Sequence, residues 1–286
     1  MSSTFKNLKK TAAAAVKGAA VGGAAMGALM FLVAPGKATP RQRAPFMGLN
    51  VAHRGLHSRD MSVPENSLEA FRLAAEAGYG IELDVQFSRD KQVVVFHDDT
   101  LDRVCGVHAR VDELDYAELK KLSLCGTSCT IPLFTEVLDV IGGRSPIICE
   151  LKNGRSNREL CEKTYEILCS YRGEVCIESF NPLIVAWFRH HARDLLRGQL
   201  AQPPRCYDAK TTSAPLAHAL GHTLFNVLAR PQFIAYRIGF RPLTVRLCEA
   251  LGAMRVGWTS HEARHESGRD TVIFEFYRPQ TKFKNY

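Results

Sequence analysis

Two carboxylates, Glu82 and Asp84, stand two residues apart inside the apolar run Gly80 to Phe87. On an extended strand they point to the same face. Like charges that close repel unless a cation or a proton lies between them. A third carboxylate, Glu150, lies near the end of the later run Ile147 to Lys152. Three carboxylates with no histidine among them suit a hard divalent cation, Mg²⁺ or Ca²⁺, rather than zinc. The competing reading is an ion-paired strand face without a metal. His53 and His97 close apolar runs of their own, and imidazole is the usual proton carrier near neutral pH. Arg54 and Lys152 could hold an anion, the arginine in bidentate fashion. Acid, base, cation site and anion clamp together suggest phosphate-ester cleavage.

These residues need elements that bring them to one place. Short β-rich runs cover Leu49 to His53, Gly80 to Phe87, Ile147 to Lys152, Val175 to Phe180, Gly198 to Gln202, Phe233 to Arg237, Arg255 to Thr259 and Val272 to Phe276. Amphipathic helical patterns fill most gaps, at Ser67–Ala77, Phe134–Ile141, Arg158–Ser170, Pro182–Arg193 and Pro242–Leu251. Alternating β and α units imply a parallel sheet. Eight such units over the length of the chain predict an α/β protein, a (β/α)₈ TIM barrel, with a doubly wound open sheet as the alternative. Barrel sites form at the C-terminal strand ends, which is where His53-Arg54, Glu82/Asp84, Glu150-Leu151-Lys152 and Glu178-Ser179-Phe180-Asn181 fall.

One run, Val93 to His97, follows the second strand too closely for a crossover and is predicted to be its hairpin partner. A two-residue turn at Asp90-Lys91 would set Asp84 opposite His97 and Glu82 opposite Asp99. Residues 100–145 exceed an ordinary βα loop and read as a small insertion after strand two. Residues 203–232 are helical only in parts.

The chain has 286 residues and a formal charge of +8. Seven basic and no acidic residues lie in residues 1–43, leaving 30 basic against 29 acidic residues elsewhere. The globular part is therefore nearly neutral, and no basic face calls for nucleic acid. Between Gly18 and Ala34 the chain carries no charge, a length of about 26 Å as a helix and short for a bilayer span. Residues 1–36 are read as a membrane anchor or signal-like segment, residues 37–46 as a Pro-bearing linker, and residues 47–286 as the barrel domain. The protein is thus expected to be membrane-associated through its N-terminal segment. Nine cysteines, an odd count, read as free thiols; Cys125 and Cys129 lack a second pair to complete a zinc site.

Five motifs occur in order: His53-Arg54-Gly55, Pro64-Glu65-Asn66-Ser67, Glu82-Leu83-Asp84-Val85, Phe96-His97-Asp98-Asp99-Thr100-Leu101 and Glu150-Leu151-Lys152. Together with Glu178-Ser179-Phe180-Asn181 and Trp258-Thr259 they resemble the glycerophosphodiester phosphodiesterase family, over residues 48 to about 278. The resemblance implies a divalent cation on Glu82, Asp84 and Glu150, and His53 and His97 as general acid and base. It places Arg54, Lys152, Glu65 and Asn66 around the phosphate and substrate. It implies hydrolysis of a small glycerophosphodiester to sn-glycerol 3-phosphate and an alcohol; a related barrel phospholipase of D or C type is the alternative, and a non-catalytic head-group-binding module the third reading. Where the family often has Asn after the Trp-Thr pair, this chain has Ser260-His261-Glu262.

Overall fold

The structure, a computed structural model, describes Gly23 and residues 25–283. Nine strands form one sheet: β1 (Leu49–Ala52), β2 (Gly80–Phe87), β3 (Val93–Val95), β4 (Ile147–Leu151), β5 (Val175–Ser179), β6 (Leu196–Ala201), β7 (Phe233–Arg237), β8 (Met254–Ser260) and β9 (Thr271–Phe274). All but β3 pair in parallel, and β1 pairs with both β2 and β9, so eight strands close a barrel. Helices Leu68–Glu76, Phe134–Ile141, Asn157–Cys169, Pro182–His191 and Leu243–Ala250 return the chain between strands, as the apolar periodicity predicts. Pro182 opens its helix, where the missing amide donor costs nothing.

The barrel interior explains where charge can sit. Inward positions on β4 and β5 run Ile148 then Glu150, and Cys176 then Glu178; those on β2 carry Glu82 and Asp84. An apolar layer with Val51, Ile148, Phe233 and Val256 is buried inside the barrel. Gly198 contributes no side chain, and the Phe233 ring occupies the space that a Cβ would take. The carboxylates therefore form a layer at the C-terminal strand ends, next to buried apolar side chains.

The hairpin differs from the two-residue-turn expectation. Val85 faces Val95 and Phe87 faces Val93, which leaves Arg89, Asp90 and Lys91 in a three-residue loop with Lys91 at a left-handed φ of 62°. The register shifts by one residue, so Asp84 bonds Phe96, whose N–H donates to the Asp84 carbonyl at 3.0 Å, and His97 is not its partner. The insertion then builds its own small core from Phe96, Leu101, Val104, Val111, Leu119, Leu124 and Ile131. Helix Phe134–Ile141 belongs to the barrel's outer layer instead.

The apolar N-terminal segment lies largely outside the described residues. Its end, residues 25–33, is helical, and no helix among the described residues is long and apolar enough to cross a membrane. Val33 is buried against Ala201, Ile234 and Val245. The stretch read as a linker also lies along the barrel: it carries a capped helical turn, Pro40–Arg43, and the Gln42 amide donates to the carbonyls of Arg193 and Asp194.

Candidate active site

Strand β1 ends in a backbone turn that few side chains tolerate. Arg54 and Gly55 both have positive φ, 54° and 79°, a conformation costly for arginine. The turn delivers two contacts at once. The Arg54 N–H donates to Glu82 Oε2 at 2.9 Å, and its guanidinium donates to Glu65 Oε1 at 2.7 Å. Asn66 also has positive φ, 54°, which asparagine accepts more readily, and its amide donates to Asp84 Oδ2 at 2.9 Å. Sequence-predicted Glu65 and Asn66 are thus fixed beside the strand-end carboxylates.

Glu82, Asp84 and Glu150 are all buried, and one carboxylate oxygen from each lies within 4.8 Å of the others. Lys152 Nζ sits 2.9 Å from Glu150 Oε1 and 3.4 Å from Asp84 Oδ1. Burial and the charges of Asp84, Glu150 and Glu178 push the Glu82 carboxyl well above its usual range. Burial likewise raises Glu150, against the pull of Lys152, and raises Glu178 strongly. Asp84 goes the other way: burial would raise it, but Lys152, His97 and Arg54 hold it well below the carboxylate range. The set thus carries more buried negative character than its own two cations relieve. An all-oxygen donor set of that kind fits a divalent cation.

His53 and His97 reach the same mouth. A cavity of about 200 Å³ is lined by His53, Arg54, His97, Glu82, Glu150 and Glu178, with Phe180 and Trp258 on its apolar side. Burial, with Arg54 beside it, lowers the His53 pKa, while Glu275 opposes that shift. His53 Nδ1 lies 3.2 Å from Glu275 Oε2, and its Nε2 lies 3.9 Å from Glu82. His97 Nδ1 lies 2.6 Å from Asp98 Oδ1. A ring nitrogen held by a carboxylate fixes the tautomer and leaves the other nitrogen for proton transfer.

Of the nine residues singled out in the sequence, His53, Arg54, Glu82, His97 and Glu150 line this cavity. Glu65 and Asp84 contact Arg54, Asn66 contacts Asp84 and Lys152 contacts Glu150, and four partners join them. Glu275 follows β9 and orients His53. Glu178, the penultimate residue of β5, lines the cavity. Asp98 holds His97, and Arg103 bridges Asp98 at 2.6 Å to both oxygens of Glu65 at 2.7 and 2.8 Å. A carboxylate inside the eighth apolar run, Val272 to Phe276, was the available signal for Glu275. Arg103 carries no such signal, since its role depends on how the insertion folds back. His261 is half exposed on the rim, with Nε2 3.6 Å from Glu275.

Fold and site define a TIM barrel with the residue set of a phosphate-ester hydrolase. The sequence pattern of the Glycerophosphoryl diester phosphodiesterase family matches residues 53–267. The chain belongs to that family. It is 36% identical over 146 residues to the glycerophosphodiester phosphodiesterase of Caldanaerobacter subterraneus, covering 46% of this chain and 58% of that one. It is 30% identical over 167 residues to the rat lysophospholipase D GDPD1, covering 54% of this chain and 51% of the relative. The chain thus spans about half the length of these curated relatives. Among solved structures, the Oleispira antarctica phosphodiesterase in complex with sn-glycerol-3-phosphate shares the fold, with a TM-score of 0.65 at 24% identity, covering 80% of this chain and 93% of that one.

Proposed function

We propose that this protein hydrolyses glycerophosphodiesters to sn-glycerol 3-phosphate and an alcohol, with a divalent cation, Mg²⁺ or Ca²⁺, held by Glu82, Asp84 and Glu150. The observation that carries this reading is the convergence of two carboxylate-held imidazoles, two cations and the acidic triad around one cavity. When bound, the cation supplies Lewis-acid stabilisation of phosphoryl charge. Arg54, held to Glu65, and Lys152 face the phosphate and offset the charge that builds on its oxygens. One of His53 and His97 accepts the proton of the attacking hydroxyl, and the other donates a proton to the departing alkoxide oxygen. A P–O bond forms as the P–O bond to the leaving alcohol breaks, and the net reaction consumes one water. Asn66, Glu275, Asp98 and Arg103 position these groups.

An apolar groove supports a second substrate, a lysophospholipid cleaved on the head-group side. A cavity of about 510 Å³ adjoins the mouth, sharing Phe180 and Gln202 with it, and is lined by Leu183, Tyr207, Leu216, Leu220, Phe225 and Leu228. Each methylene buried there would contribute about 0.8 kcal/mol. Relatives named lysophospholipase D agree with this reading. The test is turnover of glycerophosphocholine and of lysophosphatidylcholine by the full chain and by His53→Ala and His97→Ala. Both variants should lose turnover of both substrates while remaining folded. Near-normal turnover by His53→Ala would overturn the assignment of that residue.

The N-terminal segment supports membrane association. Met26, Met30, Phe31 and Leu32 are exposed on the helix of residues 25–33, in continuation of the uncharged stretch. Flotation of the full chain with phospholipid vesicles tests this; a chain left at the bottom of the gradient would contradict it.

A further inference from the structure

The end of the barrel opposite the catalytic mouth carries a cluster of basic side chains. A cleft of about 910 Å³ opens at the start of β5 and β6, between residues 37–42 and the end of helix Pro182–His191. Its lining includes Lys37, Arg41, Arg189, Arg193 and Arg197, against two carboxylates, Glu174 and Asp194. None of the five cations forms an ion pair among the described residues. The Asp194 carboxylate instead accepts from the Tyr165 hydroxyl at 3.3 Å.

Arg197 is the centre of this arrangement. It is 7% exposed, and its Nε has no hydrogen-bond partner. Its two terminal nitrogens reach only neutral oxygens, of Gln232 and of the Arg230 carbonyl, both at 3.3 Å. Arg189 likewise donates to the carbonyls of Val227 and Leu228. Burial, then the charges of Arg189 and Arg193, bring the Arg197 pKa down to about 10. Like charges gathered around a buried guanidinium, with no counter-ion from the fold, weaken the protein. The N-terminal end of a barrel is ordinarily its stability end, so such a cluster is out of place unless something anionic occupies the cleft.

We propose that this cleft binds a dianionic phosphate group, carried by a soluble phosphate compound or by a lipid head group. Guanidinium planes match phosphate oxygens in paired hydrogen bonds, and several arginines favour two charges over one. The site therefore differs in preference from the catalytic mouth, whose substrate is a singly charged diester. It rests on none of the mouth's residues and stands whether or not the proposed activity does. Lys37, where the linker begins, borders the same cleft, and its carbonyl accepts from the Gln232 amide at 2.8 Å.

The test is calorimetric titration of the full chain, in EDTA, with inorganic pyrophosphate, and in parallel with phosphatidylcholine vesicles with and without phosphatidic acid. Arg41→Glu with Arg193→Glu changes two exposed side chains, and its thermal unfolding temperature reports whether it folds. Arg189→Gln serves as a second variant that adds no negative charge. Arg54→Ala removes the anion clamp of the catalytic mouth. Saturable pyrophosphate binding that falls about tenfold or more in both cleft variants, and persists in Arg54→Ala, supports the proposal. Binding restricted to phosphatidic acid vesicles, with the same pattern across variants, supports it and assigns the lipid source. Equal binding by wild type and cleft variants, or loss only in Arg54→Ala, or no binding of either probe, overturns it.

Discussion

Replacing Glu275 by glutamine keeps the side chain's size and its capacity to accept a hydrogen bond but removes its charge. In the native site Glu275 Oε2 lies 3.2 Å from His53 Nδ1, so the proton sits on Nδ1 and Nε2 faces the cavity. A hydrogen bond to a charged partner is worth about 1.5–3 kcal/mol and a neutral one about 0.5–1.5 kcal/mol. The exchange therefore removes about 1–2 kcal/mol from the state in which His53 carries the extra proton. That corresponds to a turnover about five- to thirtyfold lower. The sign of the pH effect follows from the opposing influences on His53. Burial and Arg54 lower its pKa and Glu275 raises it, so without Glu275 the pKa falls further. The limb of the pH–rate profile that belongs to His53 then moves to lower pH. The assay is the initial rate on glycerophosphocholine over roughly pH 5–9, with kcat and KM separated. Since Glu275 does not line the catalytic cavity, kcat should carry the loss. A profile superimposed on wild type, or a loss confined to KM, would refute the positioning role.

Other variants separate stability from chemistry. His97→Ala should lower kcat about 10²- to 10⁴-fold with little change in thermal unfolding. Glu82→Gln should weaken binding of Mg²⁺ or Ca²⁺ in a calorimetric titration. It should also raise the unfolding temperature in EDTA at neutral pH, because a carboxyl whose pKa is raised by burial and like charges destabilises the fold once ionised; a lowered temperature would contradict this. Gly55→Ala should cost about 1–3 kcal/mol, since Gly55 has φ +79° and an added Cβ would stand 2.9 Å from Ala70. The control Gly106→Ala has a similar φ but open space and should cost less. Glu65 would be raised by burial, yet hydrogen bonds from Arg103 and the charge of Arg54 bring it from 4.5 to about 2. Its contribution, on the order of 3 kcal/mol, is present above pH 4.5 and lost as the pH falls toward 2. Urea midpoints at about pH 5 and pH 3 should therefore differ more in wild type than in Arg103→Ala.

The barrel was legible because its signals are local and periodic. Most strands are short apolar runs with a charged or polar residue at or near the C-terminal end, and helix Phe134–Ile141 occupies the span its apolar stripe predicts. The same pattern exposed the chemistry, since Glu150 breaks the apolar inward face of β4 and β2 turns two carboxylates, Glu82 and Asp84, to one face. What failed was set by single backbone choices. Lys91 adopts a left-handed conformation that lysine rarely takes, which adds a residue to the hairpin loop and moves His97 away from Asp84. Arg103 lies on a four-residue helix with no periodic signal and reaches Glu65 only through the folded insertion. The two prolines near residues 39–45 suggested nothing to pack, yet Thr39 caps a helical turn there and Gln42 ties it to the barrel.

Cleavage of glycerophosphodiesters at this mouth is proposed to depend on a divalent cation held by Glu82, Asp84 and Glu150. The most direct measurement strips the full chain with EDTA and follows sn-glycerol 3-phosphate release from glycerophosphocholine and glycerophosphoethanolamine before and after Mg²⁺ or Ca²⁺ is restored. No release is expected in EDTA, and release should recover with at least one of the two ions, a recovery that Glu82→Gln diminishes. Full release in EDTA, or none with either ion from folded protein, would contradict it.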